Sequence, residues 1–432
     1  MNYRKYLLYD LLFGMRCDHE SANFHDVIRY DKKDGKIISK NMKILSFGYI
    51  PSNVGGRQSS GLANVIYQLA YHVAKLDGVE MTLAATDVFV AEQHKNGLTI
   101  LGWTKRILIK HTLTHPVVGA KILLNTIRCK TKYSPLVSII VLFFKSLQLD
   151  YAIRKVQPQV LHLHGANSLF YLPLIPNNVK VVVTLHGNVG DDENIVNHQT
   201  YAKLEAALMK SQRVNQLCLI ASLLENIFRT EYGDIVPPVK IILNAYDDKI
   251  FYLTEKNNKK LTLCTIASYS DRKGQDRVIE ALKNSGCDYR YLCIGYISEE
   301  DKTVLEMKAK GLDFEWLGVK KPGEIRELLA ECDYMILPSS SEGFGLVYLE
   351  AIACGVPVII PQHLPLAQEG NILNEKNAIR IADSSSKAIE AILPSLQERK
   401  WDRKDVSASI ISYTWDNIAK EYTAQYVSLI KE

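Results

Sequence analysis

Residues 334–360, YMILPSSSEGFGLVYLEAIACGVPVII, leave this chain few folds to choose from. They read as a buried strand (334–338), a small-residue and glycine turn (339–345), a helix (346–354), Gly355 as a stop and a second strand from Val356. Strand, helical crossover and strand make a parallel sheet, because parallel neighbours cannot be joined by a tight turn. In such sheets ligands lie beyond the carboxyl ends of the strands, where turn amides and a helix N-terminus hold anions. One residue breaks the apolar pattern: Glu350 is the only charge within 346–354. A carboxylate in that setting is costly unless it finds hydrogen-bond donors. Helical side chains lean toward the N-terminus, so Glu350 points back at the turn that carries Glu342. Two carboxylates then flank one anion-binding mouth.

The same unit recurs upstream. Residues 42–50 read as a strand and 51–61 as a loop containing Gly55 and Gly56; Leu62, Val65, Ile66, Leu69, Val73 and Leu76 then recur at helical spacing before a strand at 79–85. The Gly-Gly pair lets amides approach a phosphate or sugar, and serves a plain turn equally well. Two further strands, 160–167 (VLHLHGAN) and 179–188 (VKVVVTLHGN), each run out into His-Gly. Alternation puts His162 and His164 on one face, but the nearby carboxylates fall in polar turns, which argues against zinc. His186 sits where a strand becomes a loop, a usual place for a working group; the alternative is a hydrogen-bonded core histidine. The second half repeats the pattern: strand 261–267, loop SYSDRKG, helix 275–283, strands 289–295 and 314–319, helix 322–331, the opening stretch, and an amphipathic helix 415–430. Lys273, beside Gly274 at the mouth of its helix, is placed to neutralise a phosphate or is an exposed surface lysine.

A chain of 432 residues is too long for one ordinary core. The expected architecture is α/β, two doubly wound Rossmann-like domains at 42–246 and 261–410. A polar linker at 247–260 joins them, a helix at 411–432 closes the chain, and 1–41 is an extension without an assigned role, read as an extra helix or two or an oligomer contact. The net charge of +5 is mild and no nucleic-acid motif accompanies it. Eight scattered cysteines without a CxxC pair fit a reducing, cytoplasmic compartment. Asp10 interrupts the N-terminal apolar run, which argues against a secretory signal, and the apolar run at 136–144 falls short of the roughly 20 residues a membrane span needs. Segment 103–155 holds ten lysines and arginines against one acid, Asp150. Interleaved with apolar residues, it reads either as a surface for anionic lipid on the inner face of a membrane or as a pair of helices with a solvated basic face.

Taken together these residues resemble the GT-B glycosyltransferases, and among them glycosyltransferase family 4, retaining enzymes that use nucleotide sugars. The resemblance spans 42–430. It is strongest at Glu342 and Glu350, which form the E-x7-E pattern in SEGFGLVYLEAIACGVPVI; weaker matches are Gly55–Gly56, TLHG with His186, ILNAYD at 242–247 and the closing helix with Trp415. It implies two domains facing across a cleft, with the last helix crossing back to the first. The implied activity moves a hexose-type sugar from a nucleotide-diphosphate sugar to a glycan or lipid-linked acceptor, in bacterial surface polysaccharide synthesis, with neither metal nor other cofactor. Glu350 would bond the ribose hydroxyls. Glu342 and the amides of Gly343, Phe344, Gly345 and Leu346 would hold the sugar and diphosphate. Lys273 would pair with the diphosphate, Gly318 and Val319 would flank the base, and Gly55, Gly56 and His186 would lie near the phosphate and the transferring sugar. His186, Lys273 and Glu342 are the catalytic candidates.

Three positions depart from the family pattern. Ser268 replaces the usual arginine, with Arg272 as the candidate to carry part of its charge; Tyr296 stands where a second glycine is expected after Gly295; Leu366 stands where an acid is usual. Asp191, Asp192 and Glu193 read as a loop rather than a metal-binding cluster. The competing readings are a catalytically silent glycan-binding or scaffold subunit, suggested by Ser268, and a sugar-nucleotide epimerase of the same architecture.

Overall fold

The computed structural model describes residues 29–30, 37–38, 42–56, 60–86, 92–133, 139–188, 198–256 and 260–431. Its contacts fall into two compact units. One contains the described residues up to Thr184 with Gln199–Gln216 and Thr423–Glu432; the other contains Leu185–His198 and Leu217–Tyr422. Most of 1–41, including any helix expected there, lies outside the described residues, as do Asp191, Asp192, Glu193 and 257–259 of the expected linker.

In the first unit a short antiparallel pair, β1 (Arg29–Tyr30) and β2 (Ile37–Ile38), precedes the main sheet. That sheet has eight strands, of which β3 (Met42–Gly48), β4 (Val79–Ala85), β5 (Gln93–Lys95), β6 (Leu98–Leu101), β7 (Val160–His164) and β8 (Lys180–Leu185) are consecutive in the order β8-β7-β3-β4-β6-β5. Only β5 runs antiparallel to its neighbour. Ile44, Leu45 and Leu161 are fully buried, as expected of strands covered on both faces. The helices are α1 (Gly61–Val73), α2 (Lys105–Thr114), α3 (Pro116–Tyr133), α4 (Ile139–Val156) and α5 (His198–Met209). The basic segment is thus three helices where the sequence suggested two.

In the second unit β9 (Gln216–Leu219) and β10 (Val239–Ile241) pair in parallel, joined through α6 (Ser222–Tyr232). An all-parallel sheet follows: β11 (Thr262–Ile266), β12 (Arg290–Ile294), β13 (Asp313–Trp316), β14 (Tyr334–Ile336), β15 (Val358–Pro361) and β16 (Ala378–Ile381), ordered β13-β12-β11-β14-β15-β16. This is the doubly wound order, whose winding reverses between β11 and β14. Helices α7 (Gln275–Ser285), α8 (Glu299–Lys308), α9 (Pro322–Leu329), α10 (Leu346–Ala353), α11 (Ser386–Glu390), α12 (Leu393–Leu396) and α13 (Arg403–Ala408) accompany it, and α14 (Trp415–Lys431) is divided between the units. Leu263, Tyr291, Tyr334 and Ile359 form the core with Val278, Leu282 and Ile389. Its tyrosines are buried only because their hydroxyls are satisfied: Tyr289 and Tyr334 donate to the carbonyls of Leu393 and Leu396, at 2.5 and 3.0 Å.

Two sets of side-chain contacts fix these elements further. His162 is fully buried, with Nδ1 2.7 Å from the Tyr426 hydroxyl and Nε2 2.7 Å from Thr184 Oγ1, while His164 Nε2 lies 3.1 Å from Ser46 Oγ. Both rings therefore belong to the packing of β7. Arg403 on α13 donates to the carbonyls of Thr254, Leu329, Cys332 and Cys354, at 3.0 to 3.1 Å, fastening the ends of α9 and α10. The seven described cysteines are free.

Candidate functional site

The parallel ladder pairs Leu263 with Tyr334 and Cys264 with Met335, so the loops leaving β11 and β14 emerge side by side at the reversal of the winding. Side chains fasten these loops together by taking up the carbonyls of the β14 turn. Arg277 Nη2 donates to Pro338 O at 2.8 Å, Ser384 Oγ to Ser339 O at 2.8 Å and Arg272 Nη1 to Ser341 O at 2.6 Å, while His363 Nε2 lies 3.1 Å from Ser340 O. In return the Ser340 amide donates to Arg272 O at 2.9 Å. The carbonyls of 338–341 are thus taken up, whereas the amides further along the turn are left over. Among the described residues the amides of Gly343, Phe344 and Gly345 meet no backbone acceptor. They lead directly into the first turn of α10, whose N–H groups have no partners within the helix. Such a run of amides is a concave donor surface for an anion.

Gly343 shows why the turn is built from glycine. A Cβ there would stand 2.2 Å from the carbonyl oxygen of His186, and one on Gly187 would stand 3.1 Å from Gly343 Cα. The two backbones are in contact, which brings His186 to the turn although more than 150 residues separate them in sequence. Burial pushes the His186 imidazole down to about 4, so it is neutral at physiological pH.

Lys273, at the end of the 3-10 turn Asp271–Lys273, forms an ion pair with Glu342, and their side chains are 17% and 10% exposed. Glu350 lies in α10 with part of its surface still open to solvent. No hydrogen bond reaches its carboxylate among the described residues. Burial, with the Asp247 carboxylate as a lesser cause, pushes Glu350 up to about 7. Tyr348, two residues earlier on α10, is fully buried and donates to Leu337 O at 2.6 Å, tying the helix to the end of β14.

The remaining candidates are placed as follows. Ser268 is exposed at the end of β11 and supplies no charge, whereas Arg272 is committed through one nitrogen to Ser341 O. Phe344 is buried, Leu346 opens α10, Gly318 sits in the turn after β13 and Val319 beside it is 72% exposed. Gly55 and Gly56 belong to the first unit, where the turn itself requires them: Gly55 has φ 97°, and a Cβ on Gly56 would overlap Ile50 O at 1.8 Å. Thus Lys273, Glu342, Gly343, His186 and Arg272 are brought together in the second unit. Sequence reading missed Arg277, Tyr348, Ser384 and Asp247. Nothing in the sequence sets Arg277 apart from a surface arginine; for Asp247 the ILNAYD segment is the available signal.

Residues 247–409 match the family model described as Glycosyl transferases group 1. Among curated proteins, N-acetyl-alpha-D-glucosaminyl L-malate synthase of Bacillus anthracis is 24% identical over 63% of this chain and 75% of its own length. The putative colanic acid biosynthesis glycosyltransferase WcaL of Salmonella typhimurium is 25% identical over 44% of this chain and 50% of its own. Among solved structures, a sucrose-phosphate synthase of Thermosynechococcus elongatus superposes with a TM-score of 0.68 at 15% identity, covering 90% of this chain and 99% of that one. Anabaena Alr3699/HepE in complex with UDP and glucose gives 0.60 at 16%, covering 89% and 100%. The fold is that of the GT-B glycosyltransferases, and the relatives support a glycosyltransferase.

Proposed function

We propose, from a chain that carries a group 1 glycosyltransferase domain over 247–409, that it transfers a hexose-type sugar from a nucleotide-diphosphate sugar to a glycan or lipid-linked acceptor with retention of configuration. The observation that carries this reading is the set of acceptor-free amides at Gly343–Gly345, with Lys273 adjoining at the same turn through Glu342. Amides and ammonium together suit a diphosphate, whose charge grows as the bond from the anomeric carbon to the phosphate oxygen breaks. The acceptor hydroxyl then forms its bond to that carbon from the same face, and its proton leaves with the nucleoside diphosphate. The Glu350 carboxylate, which lacks donors of its own, accepts hydrogen bonds from the ribose hydroxyls. Glu342 gives up Lys273 to the diphosphate and accepts from the sugar. His186, neutral, donates to a sugar hydroxyl without adding charge. No metal is assigned a step; chelator-insensitive turnover is the corresponding expectation. Relatives named for colanic acid and O-antigen biosynthesis support bacterial surface polysaccharide as the setting.

UDP, present in a solved neighbour, is the first ligand to try, followed by GDP. Saturating UDP or GDP raises the thermal midpoint by several degrees, equivalent to about 2.7 kcal/mol at a hundredfold excess over Kd. Glu350→Ala removes the shift. If no nucleoside diphosphate moves the midpoint, the reading fails. Mass spectrometry of donor sugars incubated without acceptor separates transfer from epimerisation.

A further inference from the structure

The outer face of α2 and α3 carries apolar and basic side chains in alternation. The inner faces of the segment are already filled, with Trp103, Ile122 and Leu147 buried together and Ile107, Leu108 and Phe144 packed on them. Opposite that cluster, Ile109 and Leu113 of α2 and Val117, Leu124 and Ile127 of α3 are exposed, Leu113, Val117 and Leu124 by 70%, 72% and 69%. On α3 the exposed residues Val117, Lys121, Leu124 and Arg128 follow at i, i+4, i+7 and i+11, which is one face of a helix. On α2 Arg106, Ile109 and Leu113 share a face in the same way. A merely solvated basic face has no use for leucine and valine at the centre of its outer stripe, and large apolar side chains exposed along one face of a helix mark an interaction site.

Charge decides the partner. Residues 104–133 contain no Asp or Glu. The one acid of 103–155, Asp150, is engaged at 2.8 Å by both His111 and Arg154. We infer that the outer face of α2 and α3 docks on an anionic lipid bilayer, its leucines and valines entering the boundary between headgroups and acyl chains and its lysines and arginines meeting lipid phosphates. A second copy of the chain would present the same positive charges to this face and is disfavoured by repulsion. No described helix is long and apolar enough to cross a membrane, so the contact is interfacial. The inference uses none of the residues assigned to sugar transfer and stands apart from that reading.

The test is flotation of the full chain with vesicles of phosphatidylcholine alone or phosphatidylcholine mixed with phosphatidylglycerol, at low and high salt. The expected result is binding to the anionic vesicles, weakened by salt. Each basic side chain near such a surface is worth about fivefold in partitioning, so Lys121→Glu/Arg128→Glu lowers binding by at least about tenfold. Leu113→Glu/Leu124→Glu does the same through the apolar contact. All four positions are exposed, so a thermal midpoint equal to that of the parent shows that either variant is folded. Equal partitioning to neutral vesicles, no partitioning to either, or undiminished binding by both variants would overturn the inference. So would conversion of a dimer to a monomer by the variants without any lipid binding, which assigns the face to a second copy.

Discussion

Glu350 is held in surroundings that disfavour its charge. Its carboxyl is raised from 4.5 to about 7, so the folded protein binds that proton more tightly than the unfolded chain does. The corresponding stability is complete below pH 4.5 and is lost as pH rises to 7. His186 behaves in the opposite sense: lowered from 6.5 to about 4, it contributes fully above pH 6.5 and loses its share as pH falls toward 4. Between 4.5 and 6.5 the two slopes oppose. Glu350→Gln removes the first and leaves the second. At pH 7.5 this variant is more stable than the parent by about 1–3 kcal/mol, toward the low end because the side chain keeps some solvent access, yet it no longer responds to nucleoside diphosphate. Urea unfolding across pH reads both effects, and a variant less stable than the parent at pH 7.5 would refute the assignment. Much of this was legible beforehand, because one charge in an apolar helix has few explanations. The Lys273–Glu342 pair was not legible as a contact: the residues are 69 apart in sequence, and only the β11–β14 ladder sets them side by side.

At the scale of elements, the turn and α10 work as one piece. Tyr348 fastens the helix to β14, Arg272 and Arg277 hold the turn to the β11 loop, and Gly343 lets the backbone of 186–187 approach. Gly343→Ala forces a Cβ to within 2.2 Å of the His186 carbonyl, so the turn must move. Its expected cost is about 1–3 kcal/mol in stability and at least tenfold in nucleoside diphosphate affinity, measured by urea unfolding and calorimetric titration. Unchanged affinity would show that these amides do not hold the ligand. Strands and connecting loops were readable because apolar runs alternate with glycine and polar turns. Their order in the sheet was not, since ladder pairing is a long-range choice that local pattern does not record. The basic segment was undercounted for a local reason: His115-Pro116 ends one helix and starts another, and charge composition hid that signal.

Across the whole molecule, Lys273, Glu342, Glu350 and His186 all belong to the second unit, whereas Gly55 and Gly56 belong to the first. The chain leaves and re-enters each unit, at 185–198 and again along α14, a membership that a linear search for one polar linker has no means of reading. Each unit has its own buried core, so each is expected to give its own unfolding transition. Tyr426→Phe acts on the first unit by removing a hydroxyl 2.7 Å from the buried His162, at a cost of about 1–3 kcal/mol. A nucleoside diphosphate acts on the second, where its proposed contacts lie. In scanning calorimetry of the intact chain, Tyr426→Phe should therefore lower one transition while UDP or GDP raises the other, and the two effects should add because they share no partner. If the variant lowers the same transition that the ligand raises, the nucleotide is held by the first unit or the units melt as one, and the assignment of the donor site to the β11–β14 reversal loses its thermodynamic support.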